Sequence, residues 1–201
     1  TEIAHSKGVP VIVDAASMLP PRENLSKYHK LGADLVIHSG GKGIRGPQGT
    51  GILSGKKELI KAAYANAAPH QFLGRSAKVA KEEIVGLLTA LNNFVNEDEK
   101  VENSDFRNKS QKVVDAFSET PGLDAAVKHD KEDYLTPVST LYFTDEWEGP
   151  KAGDILQRLQ EGNTPIFMHN LIHPDELIFD PLNVDDDEVD VVIKKIRESM
   201  D

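Results

Sequence analysis

The sequence predicts an α/β protein in which a mostly parallel sheet is followed by a small α+β domain. Residues 9–13 and 35–38 are short apolar runs that begin soon after Gly8 and Gly32, as buried parallel strands do. The segment between them is long enough for one crossover helix. Near the C-terminus, apolar residues recur at three-to-four spacing, which predicts a helix that covers a local sheet: Val189, Val192, Ile193, Ile196 and Met200.

The composition narrows the functional classes. The chain has 201 residues, of which 39% are hydrophobic and 28% are charged, so a disordered or fibrous protein is excluded. It has no cysteine, which excludes disulfides, thiolate metal sites and a cysteine nucleophile. Because no apolar run approaches the ~20 residues of a membrane span and no signal segment opens the chain, we expect no membrane contact and a cytoplasmic location.

The charge of the chain bears on its partners. The formal net charge is -10, and lysines and arginines are scattered along the sequence. Nucleic-acid affinity depends on clustered basic groups, so nucleic acid is not the expected partner. A small anionic substrate held by a few cations is compatible with this charge.

The first half of the chain predicts a binding edge. The run at residues 9–13 ends at Asp14, and a third strand is expected at residues 50–53. The glycine-rich residues 39–49 predict a loop that can approach a ligand. Residues 55–65 read as a helix, and a stronger helix follows with one apolar face: Ile84, Leu87, Leu88, Leu91 and Val95.

The second half predicts a separate set of elements. A helix containing Val113 stops at Pro121, and strands are expected at residues 137–143, 166–167 and 177–179, with a helix at 151–160. The last helix is expected to start in the acidic residues 185–187, whose carboxylates favour a helix N-terminus.

Three residues offer what a pyridoxal-phosphate (PLP) enzyme requires. Such an enzyme needs a lysine for the Schiff base, a carboxylate for the pyridine nitrogen and donors for the phosphate. Asp14 and Lys42 are separated by 42 − 14 = 28 residues, which fits one strand-helix-strand crossover. Ser39, three residues before the lysine, can offer its hydroxyl to a phosphate.

Four segments together resemble a known family. They are VIVDAA at 11–16, GADLVIHSGGK at 32–42, GPQGTG at 46–51 and GRSAKVAKEEIVGLL at 74–88. They are similar to fold-type I PLP enzymes, in the branch that contains selenocysteine synthase and D-glucosaminate-6-phosphate ammonia-lyase. The resemblance covers nearly the whole chain and corresponds to the C-terminal part of such an enzyme.

The resemblance implies a role for each site residue and a domain division. Lys42 would form the Schiff base, Asp14 would hold the pyridinium nitrogen and Ser39 would contact the phosphate. Residues 1–95 would be the C-terminal part of the PLP-binding large domain, 96–120 a connecting helix and 121–201 the small α+β domain. A homodimer or higher homo-oligomer is expected. At residues 166–170, where the family is expected to carry an arginine, this chain has Met168 and His169.

Each assignment has a simpler alternative. Lys42 can be a solvated loop lysine, Asp14 can cap the next turn and Ser39 can cap the loop. Arg45 and Arg75 are candidates for binding the substrate's phosphate or carboxylate, although either can be a surface cation. No metal site is predicted, because Pro174 disrupts the helical geometry that the His169 and His173 spacing would need.

The functional hypothesis is a PLP-dependent lyase that eliminates ammonia from an amino sugar acid such as D-glucosaminate 6-phosphate. Within the same class, a selenium transferase on charged tRNA is the alternative. From a different class, the alternative is a non-catalytic fragment without a complete cofactor site. Thr1 begins in what reads as the last turns of a helix, so we expect the family's N-terminal half to be absent and this chain alone to bind PLP weakly.

Overall fold

The computed structural model describes residues 1–130 and 132–201, which form two compact units. Unit 1 comprises Thr1–Glu97 and unit 2 comprises Asp98–Asp201. No helix within the described residues combines the length and the apolar character that a membrane span needs.

Unit 1 contains a three-stranded sheet in the order β1 (Ile12–Asp14), β2 (Leu35–Ser39) and β3 (Gly51–Gly55). β1 and β2 are parallel, and Asp14 pairs with Ile37. β3 runs antiparallel to β2, with Ser39 opposite Gly51. The chain between β2 and β3 is too short for a helical crossover, so the loop simply reverses direction. The predicted strands are therefore present, and the third is antiparallel.

Four helices accompany this sheet: α1 (Glu2–His5), α2 (Asn24–Lys30), α3 (Lys57–Asn66) and α4 (Lys81–Asn96). α2 is the crossover between the parallel strands. Its Tyr28 packs with Val13 and Val36, which project from one face of the sheet. That face is therefore buried, whereas Ile12 and Ile37 on the other face are exposed.

The predicted apolar face of α4 is only partly correct. Leu87, Leu91 and Phe94 pack against Leu19 and Ile44, as a buried helix face should. In contrast, three residues of the predicted face are exposed by about half: Ile84 (48%), Leu88 (61%) and Val95 (49%). The helix carries apolar residues over more than one side, and unit 1 supplies partners for one side alone.

Unit 2 contains a second sheet, in the order β4 (Leu123–Lys128), β5 (Val138–Phe143) and β6 (Glu176–Phe179), with both pairs antiparallel. Its helices are α5 (Glu99–Phe117), α6 (Ala152–Glu161) and α7 (Glu188–Met200). One core joins helices and sheet through fully buried side chains: Val113, Leu141, Ile155, Leu177 and Ile196. The last helix buries most of the apolar stripe predicted for it.

Two features of unit 2 differ from the sequence analysis. Residues 166–167 form no strand, and only an isolated bridge joins His169 to Ile178. β4 was not predicted, since its pattern of small and polar residues is a weak strand signal. The helix expected to connect two domains is α5, which packs against β4 and β5 within unit 2.

Candidate active site

The carboxyl edge of the first sheet gathers the residues that the sequence singled out in the first two strands. Asp14 is the last residue of β1 and Ser39 is the last residue of β2. Because Asp14 pairs with Ile37 and alternate residues share a face, Asp14 and Ser39 project from the same face of the sheet. The Asp14 carboxylate is exposed, and its Oδ1 accepts a hydrogen bond of 3.0 Å from the Ala16 N–H.

Lys42 reaches back to the turn that follows β1. Its Nζ donates a hydrogen bond of 2.7 Å to the hydroxyl of Ser17, which lies three residues after Asp14. Both residues are exposed at the edge of the sheet. The structure therefore brings the lysine amine and the turn carrying the aspartate to the same edge.

Two glycines allow this approach. A Cβ at Gly43 would lie 2.0 Å from the Leu19 carbonyl oxygen, and one at Gly41 would lie 2.5 Å from Gln48 Cα. Real Cβ atoms do not come so close to backbone atoms, so neither position accepts a side chain without movement. The loop is thus wound on itself and against the turn after β1, which places Lys42 beside Ser17.

The two predicted substrate-binding arginines have different surroundings. Arg45 is exposed and has a positive φ of 59°, a conformation that costs a non-glycine residue energy and often occurs at functional sites. Its backbone N–H donates to the Lys42 carbonyl at 2.8 Å. Arg75 is half-buried in the segment before α4, and its Nε is buried without a hydrogen-bond partner among the described residues. An anion is a suitable partner for such a group.

The opposite end of the strands is held by Asp34. Its nearly buried carboxylate lies 2.6 Å from the Val11 N–H, 2.6 Å from Lys56 Nζ and 2.8 Å from His5 Nε2. The hydrogen bond from Lys56 holds the pKa of Asp34 well below its usual range, with further contributions from Val11 and His5. This carboxylate links the start of β1 and the end of β3, and so helps fix the strands that carry Asp14 and Lys42.

The imidazole of His38 is fully buried on the covered face, away from Asp14 and Ser39. Burial lowers its pKa, and its Nε2 lies 3.3 Å from the Asn24 carbonyl oxygen. We therefore interpret His38 as a structural residue of the strand that precedes the Lys42 loop.

The segment where an arginine was expected lies in unit 2. Met168 is buried and His169 half-buried, and both line a pocket of about 420 Å³ within that unit. His169 Nδ1 is buried without a hydrogen-bond partner among the described residues. Within those residues, no group of three histidine, aspartate or glutamate side chains is arranged to hold a metal ion.

The residues at the sheet edge fit PLP by their chemistry. An amine, an exposed carboxylate and hydroxyl groups converge on one edge, and the lysine lies in a loop whose backbone packs closely on itself and on the turn after β1. These are the functional groups by which proteins hold this cofactor.

Comparison with known proteins agrees with this chemistry. Residues 1–94 match the family described as aminotransferase class-V. Over 198 residues, the chain is 29% identical to D-glucosaminate-6-phosphate ammonia lyase of Salmonella typhimurium, covering 98% of this chain and 50% of that protein. A solved structure of D-glucosaminate-6-phosphate ammonia-lyase superposes with a TM-score of 0.72. The match covers 99% of this chain and 51% of the ammonia-lyase chain. The resemblance to this branch of fold-type I PLP enzymes is confirmed.

The resemblance extends to a second reaction type. L-seryl-tRNA(Sec) selenium transferase of Aquifex aeolicus is 25% identical over 226 residues, covering 98% of this chain and 47% of that protein. The chain thus spans about half the length of the curated relatives it matches. The predicted fold class is confirmed, and the relatives are enzymes of the lyase and transferase classes.

Sequence reasoning missed two features of the site. The first is Ser17, for which the sequence contains only a weak indication: it lies in the turn after a strand that ends at a candidate functional residue. The second is the close approach of Gly43 to Leu19. No local sequence pattern indicates it, because the two residues lie more than twenty positions apart in the chain.

Proposed function

We propose that this chain carries the lysine and the aspartate of a PLP-dependent lyase that eliminates ammonia from an amino sugar acid, such as D-glucosaminate 6-phosphate. The observation that carries the proposal is the convergence of Lys42, Ser17 and the Asp14 turn at one sheet edge. The similarity to the ammonia lyase over nearly the whole chain supports the choice of substrate class.

Each residue has a defined task in the proposal. When bound, PLP supplies an electron sink that acidifies the hydrogen on the carbon bearing the substrate amine. Lys42 would hold the cofactor, and its amine would take that hydrogen as a general base. The Asp14 carboxylate would keep a proton on the ring nitrogen, and the Ser39 hydroxyl would donate to the phosphate.

Two arginines are proposed to hold the anionic groups of the substrate. Arg45 stands three residues after Lys42, and Arg75 offers a buried Nε that lacks a partner among the described residues. Guanidinium groups bind carboxylates and phosphates with two parallel hydrogen bonds, which also orients the substrate. The homodimer or higher oligomer, the cytoplasmic location and the domain roles stay predictions.

One alternative function, selenium transfer, is suggested by a relative. A selenium transferase acting on charged tRNA is the alternative, because a protein of that name is 25% identical to this chain over 226 residues. The net charge of -10 opposes tRNA binding by this chain, so the lyase is preferred.

The test is a product assay with PLP present. This chain and the longest reading frame that contains it are incubated with D-glucosaminate 6-phosphate, and ammonia and keto acid are measured. We expect equal amounts of both products from the active protein and none from Lys42→Ala. Selenium transfer to seryl-tRNA without ammonia release would favour the alternative, and activity that survives Lys42→Ala would refute the proposed role of Lys42.

A further inference from the structure

We infer that Ser17 is a positioning residue for the Lys42 amine. This inference rests on the proposed function of Lys42 and adds a residue that the sequence motifs do not include. Its basis is the hydrogen bond of 2.7 Å from Lys42 Nζ to Ser17 Oγ, between side chains 25 residues apart in the chain.

The Ser17 hydroxyl bonds a different kind of partner from several other serine hydroxyls in the structure. Ser6, Ser26 and Ser118 each bond the carbonyl of a residue three positions earlier, which satisfies the hydroxyl locally. Ser17 instead accepts from a side chain of a different loop. Its contact therefore fixes the relative position of two segments rather than the local backbone.

The partner of Lys42 is neutral, and this matters for its chemistry. Most other paired lysines contact carboxylates; Asp34, for example, raises the pKa of Lys56 through a hydrogen bond and its negative charge. An amine adds to the aldehyde of PLP, with loss of water, only in its neutral form. A hydroxyl can hold the amine in place without adding the negative charge that would favour the ammonium form.

The position of Ser17 in the chain also suits a residue that positions the Lys42 amine. It lies three residues after Asp14, in a turn closed by a hydrogen bond from the Met18 N–H to the Ala15 carbonyl. The turn that follows the proposed ring-nitrogen partner therefore also holds the amine. One rigid segment can thus set the distance between the two groups that the cofactor must join.

The test compares three variants of the same position with a matched control. Ser17→Thr keeps the hydroxyl, Ser17→Ala removes it and Ser17→Asp replaces it with a carboxylate. Ser26→Ala is the control, since this exposed hydroxyl donates to the carbonyl of Glu23, at the start of its own helix. The first readout is the rate at which excess PLP is trapped on Lys42 by borohydride, measured by peptide mass mapping. The second is the acetylation of Lys42 by trace acetic anhydride without PLP, relative to the exposed Lys27.

We expect Ser17→Thr and Ser26→Ala to match the unmodified chain in both readouts. Ser17→Ala should slow PLP trapping roughly twofold to tenfold, the value of one hydrogen bond, without slowing acetylation. Ser17→Asp should slow both reactions about tenfold near neutral pH, and the loss should disappear as the pH is raised.

Two results would overturn the inference. One is PLP trapping in Ser17→Ala as fast as in Ser26→Ala, and the other is acetylation of Lys42 in Ser17→Asp as fast as in Ser17→Thr. If PLP is trapped on Lys42 no faster than on Lys27, both in this chain and in the longest reading frame that contains it, the proposed function fails instead. The acetylation comparison still decides whether Ser17 contacts Lys42, so the two failures are distinguishable.

Discussion

Gly43→Ala tests whether Lys42 is positioned by the close approach of its loop to the turn after β1. The new Cβ would lie 2.0 Å from the Leu19 carbonyl oxygen, 2.5 Å from its carbon and 3.1 Å from Pro20 N. All three are backbone atoms, so no side-chain rotation relieves the contact. Restoring a separation of about 3.0 Å requires a movement of roughly 3.0 − 2.0 = 1.0 Å, and overpacking of this kind costs about 1–3 kcal/mol.

The destabilisation should be confined to unit 1. Amide hydrogen exchange in β2 and β3 should accelerate by roughly fivefold to 150-fold, since 1.4 kcal/mol corresponds to about tenfold. Trapping of PLP on Lys42 should slow by about 100-fold, the usual effect of a 1 Å displacement of a reacting group. The fluorescence transition of Trp147, the single tryptophan, reports unit 2 and should not change.

Gly49→Ala in the same loop is the matched control. Its Cβ would meet the end of the Glu83 side chain, at 3.0 Å and 3.9 Å, and no backbone atom within 4 Å. A shift of a few tenths of an ångström in that side chain, whose other oxygen accepts the Ala80 N–H, relieves the contact. Hydrogen exchange in β2 and β3 that is equally fast in both variants, or unchanged in Gly43→Ala, would refute the reasoning.

Two ion pairs give further predictions. The lowered pKa of Asp34 means that its contribution to stability is present above the unfolded value of about 3.9 and is lost as the pH falls further. Asp34→Asn should therefore destabilise unit 1 at pH 7 in urea unfolding followed by circular dichroism, and an equal effect at pH 7 and below pH 3 would contradict this. In unit 2, Lys128 Nζ lies 2.7 Å from Glu176, whose side chain is fully buried while that of Lys128 is 41% exposed. Lys128→Met removes the cation beside the buried Glu176 carboxylate, which keeps a hydrogen bond of 3.1 Å from the Tyr134 hydroxyl. This change should cost about 3 kcal/mol by Trp147 fluorescence, whereas Glu176→Gln leaves a lysine that can reach water and should cost less. The reverse order would contradict the burial argument.

The end of each parallel strand could be predicted because its signals are local. Asp14 follows an apolar run directly, and Ser39 and Lys42 follow the next, so both ends were expected at one edge. The antiparallel direction of β3 was also implied by spacing, since eleven residues cannot form a helical crossover.

The contacts that complete the site could not be predicted. Ser17 meets Lys42, and Gly43 meets Leu19, through packing between distant segments, and no sequence period reports such contacts. The exposure of Leu88 was missed for a related reason. Helical periodicity shows that a residue shares a face with apolar neighbours, but it does not show whether a partner covers that face.

The central claim is that Lys42 is the residue to which PLP attaches. The most direct measurement is borohydride reduction in the presence of PLP, followed by peptide mass mapping, on this chain and on the longest reading frame that contains it. We predict that the pyridoxyl group is found on Lys42 and that Lys42→Arg abolishes this labelling. Labelling of a different lysine in the longer protein would contradict the assignment of Lys42.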